Sequence, residues 1–224
     1  PTKSTSINAK CTHTVYLSLL QNGKNEQIIG IHPKLAEKLT ESALTSNLLT
    51  TLQNIKSYRR ETSVYIKDKI DSRFDFTGVD QYGIPFIMEV KNVPLADYED
   101  VTSKERTKMD FSNRDVNSKV AYFPDGYRKK TSDTISPRAL KHIRELTLIK
   151  TDLIESSNNI RCIMCYVIQR SDVNRFQPSV IDPEYRYAFT DAIKAGVEII
   201  TMVVSWNRNG EAIFIRDDLP ISIF

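Results

Sequence analysis

Hydrophobic positions recur at two spacings along this chain, near two and near four residues, and the two alternate in blocks. His13 to Leu20 and Gln27 to Ile31 read as strands around a turn at Gln21-Asn22-Gly23-Lys24. Pro33 suits a first helical position, and Leu35, Leu39 and Ala43 follow at four-residue spacing. That pattern predicts a helix over 33–45, with a second short helix over 46–53. Thr62 to Ile66 is a strand. A hairpin follows over 72–79 and 84–92, turned by Gln81-Tyr82-Gly83-Ile84-Pro85.

Residues 97–118 are polar and show no period, so they read as a charged, partly mobile surface insertion. Val120 to Phe123 is a short strand, and Pro124-Asp125-Gly126 ends it. Ser136-Pro137 caps and opens a helix through about 155, with Leu140, Ile143, Leu146 and Ile149 inward. Ile160 to Gln169 is almost continuously apolar, as in a strand buried on both faces. Asp182-Pro183 starts a last helix that Gly196 stops, and Val197 to Trp206 is a long strand turned by Asn209-Gly210 into 211–216. The central order is helix, strand, strand, strand, helix, strand.

Composition adds bounds. The 224 residues are 40% hydrophobic and 26% charged with a net charge of +3, ordinary for a globular domain and permissive of nucleic acid. No apolar run is long enough to span a membrane, and the first residues do not read as a signal peptide. The chain begins at Pro1, so a methionine, a tag or a longer segment is expected before it, and residues 1–12 read as disordered. Three cysteines make no disulfide framework, so an intracellular setting is expected. Cys162 and Cys165, three apart on a strand, face opposite ways and read as core rather than as a zinc or redox pair. His32 reads as a helix-entry residue. No Walker loop, dinucleotide fingerprint or nucleophile elbow is present.

The candidate chemistry lies in the hairpin. Glu89 and Lys91 are two apart on one strand and share a face, where Asp75 from the other strand can meet them. Two carboxylates and an ammonium at a sheet edge suit a hard divalent cation and an attacking water, as in phosphodiester hydrolysis. The plainer reading is a cross-strand salt bridge worth under about 1 kcal/mol. Arg138, Lys141 and His142 begin the long helix and are candidates for phosphate contact, as are Arg59, Arg60 and the loop Arg128-Lys129-Lys130. Each could equally be a solvated basic face.

Asp75 on one strand and Glu-x-Lys on the next resemble the PD-(D/E)XK nuclease core. Longer stretches are more specific: Asp71-Ser72-Arg73-Phe74-Asp75-Phe76, Glu89-Val90-Lys91-Asn92-Val93, Tyr122-Phe123-Pro124-Asp125 and Lys141-His142-Ile143-Arg144-Glu145-Leu146. With Val167-Ile168-Gln169-Arg170-Ser171-Asp172 and Ile181-Asp182-Pro183-Glu184-Tyr185, they resemble the sugar fermentation stimulation protein A family over roughly residues 28–206. The resemblance implies an α/β fold with a restriction-endonuclease-like core, a central mixed sheet flanked by helices. It implies DNA as partner and Mg²⁺ or Mn²⁺ as cofactor. Asp75, Glu89 and the Val90 carbonyl would hold the metal, Lys91 would assist the water, and Glu41 on the first core helix would reach the metal. Gln169 would support the site.

In that family a small oligonucleotide-binding barrel precedes the core, and a complete one is not expected in the roughly 30 residues that stand before the first core helix here. Residues 1–27 are expected to form a truncated appendage and 28–224 the nuclease-like domain. The rival reading is a non-catalytic DNA-binding regulator on the same scaffold. A third is a partner-binding protein that uses the charged insertion. Self-association into a homo-oligomer is left open, as is strandedness of the DNA.

Overall fold

The computed structural model describes residues 2–3, 11–22, 25–124, 133–152 and 160–223. The chain opens with strands β1 (Thr2–Lys3) and β2 (His13–Thr14), which pair with each other, and a hairpin of β3 (Leu17–Asn22) and β4 (Asn25–Gly30). The pairing of Thr2–Lys3 departs from the disorder expected of the first dozen residues. Helix α1 (Pro33–Thr45) follows, then β5 (Ser57–Ile66), β6 (Ile70–Val79), β7 (Pro85–Val93) and β8 (Ala96–Asp97). The rest is α2 (Ser103–Arg106), β9 (Lys119–Phe123), α3 (Pro137–Asp152), β10 (Arg161–Ile168), β11 (Val173–Pro178), α4 (Pro183–Ala195), β12 (Glu198–Trp206) and β13 (Ala212–Arg216). No helix among the described residues is long and apolar enough to cross a membrane.

A mixed six-stranded sheet in the order β13-β12-β10-β7-β6-β5 forms the centre. β7, β10 and β12 run parallel to one another, and the outer strands pair antiparallel. Two apolar cores lie on its faces. Cys162, Met164, Tyr166 and Ile168 of β10 join Ile143 and Leu146 of α3 and Phe189 of α4. Ile163, Cys165 and Val167 face the other way, toward Ala36, Ala43 and Leu44 of α1. Thus β10 is buried on both faces, and its two cysteines do point apart. Burial pushes both thiols up to about 12.

The helix boundaries have local causes. His32 caps α1 by accepting the Lys34 N–H, with Pro33 next, and its ring stacks on Tyr16. Asp182 caps α4, and Gly196, at φ 90°, stops it. The short helix expected over 46–53 does not form. Asn47 takes the left-handed conformation at φ 55° and ends α1, while Leu49 and Leu52 are buried from turns.

The polar insertion is more organised than its sequence suggests. Thr102 and Glu105 form a capping box on α2. Tyr98 stacks on Phe111, and Arg106 sits over the Phe111 ring while bonding Asp97. Buried Asp100 accepts from Gln177, Ser179 and the Val180 N–H, fastening the insertion to β11. β11, which its polar Asn174 and Arg175 hid from pattern reading, completes a small sheet in the order β11-β9-β8.

Candidate metal centre

β6 and β7 do not pair along their whole length. Their ladder runs from Val79–Pro85 to Phe76–Met88 and stops. Beyond that rung β6 continues against β5 to Ile70, and β7 continues against β10 to Val93. The two strands therefore fork. Asp75 and Glu89 are the first residues past the last shared rung on their respective strands. The Val90 N–H donates to Asp75 Oδ2 at 2.7 Å, so a side chain takes up a backbone donor where the ladder has ended.

Glu89 is 2% exposed. Its Oε1 accepts from Lys91 Nζ at 2.5 Å and also bonds His142 Nδ1, which reaches across from α3. Its Oε2 is buried with no hydrogen-bond partner among the described residues. The fork opens into a cavity of about 390 Å³ lined by Asp75, Glu89, Lys91, Asn92, Glu37 and Arg138.

The two carboxyls titrate apart. Burial, then the charge on Glu89, pushes Asp75 up to about 7, against the Val90 N–H and Lys91. Glu37 adds further repulsion. Burial also acts to raise Glu89, as the largest single effect. The His142 hydrogen bond and the charges of Lys91 and His142 together outweigh it, and Glu89 lies below the usual range. Near neutrality Glu89 is the carboxylate and Asp75 takes up a proton readily.

This donor set fits a hard cation. A buried carboxylate oxygen without a donor costs about 1–3 kcal/mol, and burial together with the charge on Glu89 makes the neighbouring Asp75 carboxyl hold its proton up to about pH 7. A divalent cation removes both penalties. No group of three or more His, Cys, Asp or Glu side chains converges on a metal position among the described residues.

The other expected residues are distributed unevenly. Glu41 does not line the cavity: its oxygens are held by Tyr58 at 3.1 Å and Arg60 at 2.9 Å. Glu37, one helical turn earlier, is the α1 carboxylate that faces Asp75, and its four-residue spacing from Glu41 was the available signal. Gln169 is fully buried and stands behind the site, donating to Asn92 Oδ1 at 2.6 Å. His142, expected on a phosphate-facing surface, is 3% exposed and bonded to Glu89. Arg60 bridges Glu37 and Glu41 rather than standing free. Lys141 donates to the Asp71 carbonyl at 2.5 Å. Arg138 and Arg59 are exposed, Arg138 beside the cavity. Arg128, Lys129 and Lys130 lie outside the described residues.

Fold and site together define an α/β protein whose central mixed sheet forks around an acidic cleft. Residues 34–210 match the family model described as "Sugar fermentation stimulation protein RE domain", and the chain belongs to the sugar fermentation stimulation protein family. A sugar fermentation stimulation protein homolog of Idiomarina loihiensis is 27% identical over 221 residues, spanning 98% of this chain and 77% of that protein. One from Crocosphaera subtropica is 31% identical over 175 residues, spanning 77% of this chain and 58% of that protein. The solved structure of Pyrococcus furiosus SfsA in complex with Ca²⁺ superposes with a TM-score of 0.66 at 22% identity, covering 92% of this chain and 77% of that one. At that identity the likeness speaks for the fold alone.

Proposed function

We propose that this protein is a metal-dependent nuclease of the PD-(D/E)XK kind that hydrolyses DNA phosphodiester bonds. The observation that carries the reading is the fork: Asp75 and Glu89 flank the point where β6 and β7 part, and a buried Glu89 oxygen there lacks a donor. Asp75, Glu89 and the Val90 carbonyl would hold Mg²⁺ or Mn²⁺. When bound, such an ion acidifies water and neutralises charge at the phosphate. The Ca²⁺ held by the Pyrococcus furiosus protein supports a divalent cation in this fold.

The chain's own groups supply the rest. Lys91 Nζ, beside Glu89, is placed to orient the attacking water and to balance charge on the phosphate oxygens. Arg138 and the N-terminus of α3 border the cavity where the nucleic-acid backbone would lie, and both favour an anion. Asn92, held by Gln169, fixes the polar wall behind the nucleophile. Glu37 supplies a carboxylate from α1 that can reach the site through water.

One observation favours the second reading, a DNA-binding protein without turnover. Lys91 is paired to Glu89 at 2.5 Å and is mostly buried, so it must leave that partner to act on substrate. Cleavage of circular single-stranded and supercoiled duplex DNA in Mg²⁺, Mn²⁺ and EDTA separates the two. Metal-dependent nicking abolished by Asp75→Ala and Lys91→Ala supports the nuclease. Salt-sensitive binding without nicking supports the binder.

A further inference from the structure

The two oxygens of Glu89 are treated unequally. Lys91 and His142 both hold Oε1, while Oε2 has no donor among the described residues. An ionised carboxylate only accepts, so His142 must present a proton at Nδ1. The two donors differ in stiffness. Lys91 ends a flexible stem. The His142 ring is buried, packed 5.6 Å from the Phe74 ring and carried near the start of α3. A carboxylate's terminal torsion is soft and two-fold, so a single mobile donor would let its oxygens exchange.

We propose that His142 is a positioning residue that clamps Oε1 of Glu89 and so reserves Oε2 as the donor to a divalent cation. The inference rests on reading Asp75 and Glu89 as a cation site. With His142 in place, Lys91 is free to turn toward a phosphate without releasing the carboxylate. Partners of this kind typically tune metal affinity by about 10–100-fold.

The test is Mn²⁺ affinity of the full chain, read by electron paramagnetic resonance of the free ion. His142→Asn keeps an N–H near the Nδ1 position, and His142→Phe keeps a ring but no donor. The expected result is wild-type-like Mn²⁺ binding for His142→Asn and binding weaker by about 10–100-fold for His142→Phe. Equal affinity in His142→Phe overturns the proposal, as does equal weakening in both variants, which would make the effect one of packing. A wild type that binds no Mn²⁺ at millimolar concentration overturns the cation-site reading itself, and this inference with it. If His142→Phe does not fold, the ¹⁵N spectrum of wild-type histidines decides. An Nδ1-protonated His142 whose resonance moves on adding Mg²⁺ supports the clamp, and an Nε2-protonated ring overturns it.

Discussion

Asp75, one residue past the last rung that β6 shares with β7, accepts the Val90 N–H from two residues past that rung, at 2.7 Å. The bond holds a carboxyl at the fork within reach of a second carboxylate, Glu89. Burial and that neighbour push Asp75 up to about 7. A carboxyl raised on folding holds its proton more tightly in the native state. Its stabilising contribution is complete below its ordinary value of 3.8 and is lost as pH rises through about 7.

The metal-free protein therefore loses stability between about pH 4 and pH 7, by up to about 4 kcal/mol from this group. Glu89 acts in the opposite sense, but only at acid pH, because its folded value lies below 4.5. Denaturant titrations in EDTA across this range check the slope. Asp75→Asn should flatten it, raise Tm at pH 8, and remove the stabilisation that Mg²⁺ gives the wild type.

Two of the arginines expected at a phosphate surface should behave differently. Arg138 borders the cavity, whereas Arg60 is tied to Glu37 and Glu41. Arg138→Ala should weaken DNA binding and reduce the slope of log affinity against log salt by about 1. Arg60→Ala should leave that slope unchanged. Salt titrations of fluorescently labelled DNA compare them.

Gly30 connects the N-terminal hairpin to the site. Its N–H donates to the Gln169 carbonyl at 3.0 Å, and a Cβ there would lie 1.9 Å from Gln169 Oε1 and 2.6 Å from Trp206 Nε1. Gly30→Ala should cost about 1–3 kcal/mol and displace Gln169 from Asn92. Thermal melting reports the first effect. Weakened metal binding, in a protein that still folds, reports the second.

Thiol reactivity tests the core assignment. Cys11 is exposed, and Cys162 and Cys165 are buried on opposite faces of β10. A thiol reagent should modify one cysteine in the native protein and all three after denaturation.

Much of this was legible in the sequence. The period of Leu35, Leu39 and Ala43 placed α1, and Asp182 with Gly196 bounded α4, because caps and amphipathic faces are local signals. The β6–β7 hairpin brought Asp75, Glu89 and Lys91 to one cleft as their spacing required. The fork itself was not legible, since it depends on β6 staying with β5, and β7 with β10, past the last rung that β6 and β7 share, and β10 lies some seventy residues away. His142 was misread for the same reason. Its basic neighbours suggested a surface, but α3 turns that one ring inward to Glu89. Glu41 and Glu37 lie a turn apart on α1, and only the docking of the helix decides which one faces Asp75.

The most direct test of the central claim is a crystal of the full chain soaked in Mn²⁺ and measured at the manganese absorption edge. The account predicts an anomalous peak at the fork, ligated by Asp75 and by Glu89 Oε2, with His142 still on Oε1. A well-ordered fork with no peak, or a peak elsewhere on the molecule, would contradict it.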